Sequence, residues 1–291
     1  RTGLGPKRRV YAPPDAEPIT TGEWSQYFKD TLDGEQVEDP SATSRAHFDY
    51  LPPEEPLEEV PPSDLRQEFI RQKNNKTTVE GCLPAEIWKI IYQYCPPLTQ
   101  LIGKGPLEIV RKTATPPLQW CCSPVWPIDK HNGKPKCKGK RPVCGVCPFA
   151  RAYMRCRLKK NPAPTPFHAY GAVPKRRREE AIAIGRNVRS RCLRAKKSLL
   201  QFFRDAAGAF TSIKHSAILR ALLKFMPLYE ARFFYHAHRD AHVVLEGHGT
   251  WKIGQGTLQG HSIGGNMFLS VYGDALDDYT SEKDATKETM T

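Results

Sequence analysis

A chain of 291 residues can bury a core, yet only 39% of it is hydrophobic and 26 residues are proline, which predicts a modest core joined by extended connections. No run approaches the roughly 18–20 apolar residues of a membrane-spanning helix, and nine cysteines without even spacing fit metal ligation in a reducing compartment better than a secreted disulfide framework. The formal charge of +13 is concentrated: residues 130–204 carry 22 basic side chains against Glu179 and Glu180, a net of +20, whereas residues 1–80 are net −6. Such a concentration opposes compaction unless a polyanion compensates it, so nucleic acid is the leading partner and an anionic membrane surface the weaker competitor.

In chain order, residues 1–80 read as an extended Pro/acid-rich arm, with "YAPPDAEP" and "LPPEEPLEEVPPSD" offering little apolar periodicity. Two short helices are predicted within it. One runs over 21–32 with Thr21 as cap and Trp24, Tyr27, Phe28 and Leu32 on one face; the other follows Ser63. Residues 81–120 form a short helical segment, whose helix over 83–95 has Pro84 near its start and directs Ile87, Ile90, Ile91 and Tyr94 into a core. This stretch, "LPAEIWKIIYQYC", resembles the opening of an F-box, a helical module that hooks proteins to ubiquitin ligases. The resemblance ends where the sequence departs into "PPLTQLIGKGP".

Residues 121–174 read as a cysteine-rich, basic, metal-binding module. Cys144-Gly-Val-Cys147 is a two-residue knuckle that lets two thiolates reach one ion, and Cys137 and Cys156 can complete a tetrahedral zinc site. Cys121, Cys122 and His131 are alternates, and an iron–sulfur cluster or free thiols are the competing readings. With little apolar material between Pro135 and Pro166, a metal would take the place of a core and hold a cationic loop rigid. Phe149, Tyr153, Phe167 and Tyr170 are interleaved with the charge, to pack beneath the knuckle or to stack on unpaired bases.

Residues 175–246 are predicted helical, opening with a long basic helix over 175–206. Ile184, Val188, Cys192, Leu199 and Phe203 trace its apolar seam, and cations cover much of the rest. The predicted RNA-binding set is Lys136, Lys138, Lys140, Arg141, Arg151, Arg155, Arg157, Lys159, Lys160, Lys175, Arg176, Arg177, Arg178, Arg186, Arg189, Arg191, Arg194, Lys196 and Lys197. Helices are also expected over 212–226, capped by Ser212 or Thr211, and over 227–245, opened by Pro227. Their Ile218, Leu222, Leu223, Phe225, Phe233 and Phe234 read as core. Residues 247–291 read as a Gly-rich hairpin followed by an acidic tail from Asp274. The predicted fold class is therefore mainly α with long extended segments, a small cysteine-rich metal-binding module and a short C-terminal β-hairpin region.

His236, His238, His242 and His248 form a hydrogen-bonding or RNA-facing set; Arg239 follows His238, so no HExxH motif is present. The Gly-rich "GQGTLQGHSIGG" lacks the Gly-Lys-Ser/Thr of a phosphate loop, and no Ser/His/Asp set or carboxylate pair is evident, so an enzyme is not expected. An extended arm, a cysteine knuckle in a basic segment, a basic helix and terminal extensions together resemble, in organisation, a mitochondrial ribosomal protein of the lineage-specific or heavily extended kind. That resemblance implies a non-enzymatic component that binds rRNA through residues 130–204 and bridges neighbouring ribosomal proteins. It also implies a mitochondrial matrix location and no homo-oligomer; a start at Arg1 fits either a mature form after removal of a targeting peptide or a trimmed chain. The alternatives are an accessory zinc-binding subunit of another organellar complex, such as a respiratory complex, and an RNA-processing or assembly factor.

Overall fold

A computed structural model describes residues 17–41, 55–76, 78–130, 133–164, 169–170, 173, 175–199, 208–258 and 264–288, with the side chains of 276–277 and 279–288 outside the described set. The protein is mainly helical with one small mixed sheet.

Helix α1 (Thr21–Leu32) is capped one residue earlier than expected. Thr20 accepts from the Glu23 amide while the Glu23 carboxylate accepts from the Thr20 amide, a reciprocal capping box. Its stripe of Trp24, Phe28 and Leu32 is buried. Strand β1 (Glu35–Val37) follows. Helix α2 (Pro62–Arg71) begins at Pro62 after Pro61, with no side-chain cap; the fixed proline φ does the work expected of Ser63. The described parts of residues 1–80 are thus folded against the body: Leu57, Val60, Leu65 and Phe69 are all buried.

Helices α3 (Ala85–Tyr94), α4 (Pro96–Ile102), α5 (Glu108–Thr113) and α6 (Leu118–Cys121) come next, with a π turn over Gly103–Leu107 between α4 and α5. The facing of α3 corrects the sequence reading. Trp88, Ile91 and Tyr92 pack inward, while Ile87, Ile90 and Tyr94 point outward. Phe69, Trp88 and Phe149 form an aromatic contact, with Trp88 and Phe149 ring centroids 4.7 Å apart, and this larger payload decides which side of α3 is buried.

Strand β2 (Cys122–Asp129), a 3₁₀ turn (Lys136–Gly139) and β3 (Lys140–Cys144) lead into α7 (Pro148–Lys160), followed by α8 (Arg178–Arg194), α9 (His215–Leu223) and α10 (Leu228–Arg239). The expected helix over 227–245 stops at Arg239. His242–Leu245 is instead strand β4, which turns through Gly247 (φ +74°) into β5 (Gly249–Lys252). The hairpin therefore exists but begins before Gly247, and the expected acidic tail lies within α11 (Gly264–Glu288). Asp274 of α11 is buried and pairs with Lys224 and Arg220. The expected caps of 212–226 give way to Lys214 ahead of α9.

The strand order is β1-β5-β4-β2-β3, parallel between β2 and β4 and antiparallel elsewhere. Pro127 sits opposite Pro142 in the β2–β3 pair, where β3 is the sheet edge; a proline, lacking an N–H, is tolerated at such a position. Two hydrophobic clusters result. One joins the helices around Phe69, Phe149, Tyr153, Phe233 and Phe234; the other lies between α1 and the sheet around Trp24, Phe28, Val243 and Trp251.

Candidate nucleic-acid interface

The cysteine knuckle is a strand-to-helix junction. Cys144 ends β3 and Cys147 immediately precedes α7. Between them Gly145 donates its N–H to the Pro124 carbonyl at 2.8 Å, with the Trp126 indole packed against its α-carbon. A Cβ there would stand 2.6 Å from the ring. Gly145→Ala is expected to destabilise the protein by about 1–3 kcal/mol through overpacking. The same substitution in a Trp126→Leu background should cost distinctly less, and equal losses in the two backgrounds in urea unfolding would refute the contact.

This turn sends its two thiols to different places. Cys144 joins Cys137 in the cluster between α1 and the sheet, where the Cys137 thiol lies 3.7 Å from the Glu23 carbonyl. Cys147 and Cys156 belong to the helical cluster. Cys82 neighbours Cys147, and Cys156 neighbours Glu68 and Asp64. The four cysteines expected to share one ion are therefore divided two and two. Among the described residues no group of three or more His, Cys, Asp or Glu is arranged to hold a metal. The alternates do not repair this: Cys121 and Cys122 lie at the α6–β2 junction, Cys121 beside Asp240, and His131 is outside the described residues. Burial pushes the Cys144 and Cys156 thiols up to about 12 and Cys122 to about 11. In this arrangement the residues do not fit a four-cysteine zinc or iron–sulfur site.

The cations also divide. Those of residues 136–160 largely meet acids of the same chain. Lys136 pairs with Glu23, Lys140 with Asp129 at 2.6 Å, Lys159 with Glu68, and Lys160 with Glu58 at 3.0 Å. Arg157 is the clearest correction to the predicted RNA set. It is fully buried, paired with Glu230 of α10 and bonded to the Glu58 carbonyl. Lys138 and Arg141 are exposed, and Arg151 and Arg155 are half-exposed one turn apart on α7. The acidic segment thus supplies, in cis, part of the counter-charge assigned to a polyanion.

Helix α8 is different. Its 17 residues include Arg178, Arg186, Arg189, Arg191 and Arg194, and none of its residues is buried. Lys175 and Arg177 precede it and Lys196 and Lys197 follow, all exposed; Arg176 instead donates to the Ala169 carbonyl and lies over the Tyr170 ring. The helix is shorter than the expected 175–206. The seam residues Ile184, Val188 and Leu199 are exposed and Cys192 is half-exposed, while Phe203 is outside the described residues. Acids within it are confined to Glu179 and Glu180 in the first turn, where they complement the helix dipole. Glu179 also pairs with Arg178 at 3.2 Å, and beyond this turn the exposed surface carries arginines interleaved with Ile182, Ile184, Val188 and Leu193.

The remaining candidates are internal. Phe149 and Tyr153 are buried among other rings, and Phe167 lies outside the described residues. His236, His238 and His242 are buried and bond to the carbonyls of Ala114, Phe234 and Asp240, in line with the hydrogen-bonding reading of the set. Half-exposed His248 approaches Thr21 Oγ1 at 3.1 Å. Sequence reasoning missed the Arg157–Glu230 pair and the outward apolar face of α3. Among the described residues, no helix is long and apolar enough to cross a membrane. Neither the protein-family models nor the curated proteins contain a match to this chain.

Proposed function

We propose that this protein is a non-enzymatic RNA-binding component of a ribonucleoprotein, of which the mitochondrial ribosome is the leading case, and that it grips rRNA through α8 and its basic flanks. One observation carries the reading: a five-arginine helix in which no residue is buried. A helix of this length gains little stability alone in water and is ordinarily held by packing of one face. A cationic helix without such packing is suited to a polyanionic partner, which neutralises its self-repulsion and releases counterions. The triple variant Arg186→Gln, Arg189→Gln, Arg191→Gln in the full chain tests it. RNA affinity near physiological salt is expected to fall about ten-fold or more, with the log–log salt slope shallower by about 2–3. Thermal stability should not change, because nothing on α8 is buried. A wild-type chain that ignores RNA at about 50 mM salt sinks the proposal.

A second reading rests on a different observation. The stretch that resembles an F-box opening carries Ile87, Ile90 and Tyr94 on its outer face, with Ile90 54% and Tyr94 71% exposed, and Leu83, Leu101 and Ile109 are exposed on neighbouring elements. This is a surface suited to a protein partner. Under this reading the chain is an adaptor that docks on a ubiquitin ligase. Retention of ligase subunits by the wild-type chain, and their loss with Ile87→Asp plus Ile90→Asp, is the expected result; no retention by the wild type overturns it.

A further inference from the structure

Resting on the RNA-binding reading, we propose that the ligand of α8 is a double-helical nucleic-acid segment whose two phosphate backbones flank the helix, and not a single strand. Two observations carry it. The first is angular. At 100° per residue, Arg178, Arg189, Arg186, Arg194 and Arg191 spread over about 220° of the helix circumference. Ala181, Ile184, Gly185, Val188 and Cys192 fill the remaining arc. Arg178 and Arg189 therefore border the apolar arc on one side, and Arg191 with Arg194 approaches it from the other. A single strand laid along a helix about 10–12 Å wide meets one of these flanks. Two backbones forming the walls of a groove, or meeting at a junction, engage both.

The second observation is what the surface lacks. Binding of single strands draws on aromatic side chains on which unpaired bases stack. Residues 175–197 contain no Phe, Tyr, Trp or His. Among the described residues of the basic stretch, Phe149 and Tyr153 are consumed by the core and Tyr170 lies against Arg176; Phe167, Phe202 and Phe203 lie outside the described residues. The large aromatics exposed among the described residues are Tyr94 on α3 and Tyr272 on α11. Cations without stacking platforms recognise backbone and shape, as in the shape-led recognition of double-stranded RNA.

The test uses the full chain with a fluorescent RNA hairpin duplex, a DNA duplex of equal length and an unstructured RNA strand of equal phosphate count. The duplex is expected to bind about ten-fold more tightly than the strand. Each flank should matter for the duplex: Arg178→Gln with Arg189→Gln, and separately Arg191→Gln with Arg194→Gln, should each reduce its salt slope by about 2. A strand bound as tightly as the duplex, or a duplex that responds to one flank pair only, overturns the proposal while leaving RNA binding intact. A DNA duplex bound as well as the RNA duplex supports the two-walled ligand and counts against RNA as its identity. Failure to bind any of the three removes the reading on which the proposal rests.

Discussion

Replacing Arg157 by methionine is expected to destabilise the fold by about 3–5 kcal/mol, the loss associated with breaking one half of a buried ion pair. Arg157 Nε donates to Glu230 Oε2 at 3.1 Å and its Nη2 donates to Oε1, while Nη1 donates to the Glu58 carbonyl. The guanidinium also lies 5.8 Å from the Tyr153 ring centroid. One side chain thus joins α7, α10 and the acidic segment ahead of α2. Burial raises the Glu230 pKa and the neighbouring Arg157 charge opposes that rise. Without the arginine the carboxylate keeps the desolvation and loses the compensation. The destabilisation should accordingly shrink as pH falls and Glu230 takes up a proton. Adding Glu230→Leu to Arg157→Met should restore much of the stability, because no unpaired charge then remains. A loss under about 1 kcal/mol in urea unfolding of Arg157→Met would show that the pair is not load-carrying in the way its burial implies.

Acidification is expected to be the second large effect. Burial lowers the pKa of His238 from 6.5 to about 4, and lowers those of His215 and His242 in the same direction. Each donates a ring N–H to a backbone carbonyl: His215 to Gly256, His238 to Phe234 and His242 to Asp240. His215 and His242 also lie near the Asp240 charge, and His242 near Lys252. The unfolded chain protonates these rings near pH 6.5 while the folded protein resists, so the unfolded state binds more protons. Stability is therefore full above pH 6.5 and is lost as pH falls toward 4, by about 3 kcal/mol from His238 alone. At the alkaline end the sign reverses. Thiols held near 12 at Cys144 and Cys156 stay protonated while the unfolded chain ionises, so stability falls as pH rises above about 9. Unfolding midpoints across pH should trace a plateau between these limbs, and His238→Gln should flatten the acid limb. An acid limb identical in that variant would show that His238 does not set it.

Much of the helical framework was legible because it is local. The stripe of Trp24, Phe28 and Leu32 with Thr and Glu at its start suffices to define α1, whatever packs on it. Facing was not legible in α3, where apolar residues occur on both sides and periodicity has no means of choosing between Ile87–Ile90–Tyr94 and Trp88–Ile91–Tyr92. Nor was the end of α10, since the helical pattern through Phe233 and Phe234 continues into His242–Leu245 in composition. The parallel pairing of Cys122–Pro124 with His242–Val244 makes the latter a strand, a tertiary preference that outweighs local propensity.

The candidate site divides in the same way. The cationic character of α8 was readable; the exposure of its Ile182, Ile184, Val188 and Leu193 was not, because an apolar seam at helical spacing predicts packing. The fate of the cations at 136–160 depended on Glu23, Glu58, Glu68 and Glu230, which are distant in sequence. A segment-by-segment sum of charge has no access to which acids fold over which bases. The knuckle spacing permits two thiolates to converge, but the Trp126 ring over Gly145 fixes the path of the turn, and the thiols separate into two clusters.

The acidic residues that cover the 136–160 cations have an order in time as well as in space. Glu23, Glu58, Glu68 and Asp129 all precede the basic residues they pair with, so a ribosome releases each of these anions before its cation. The lysines of α7 therefore emerge into a chain already carrying their partners. Capture by the RNA-rich surroundings of synthesis meets an intramolecular competitor at once. Residues 175–197, made next, have no earlier acid reserved for them among these pairs, and they leave the tunnel as the segment most available to a polyanion.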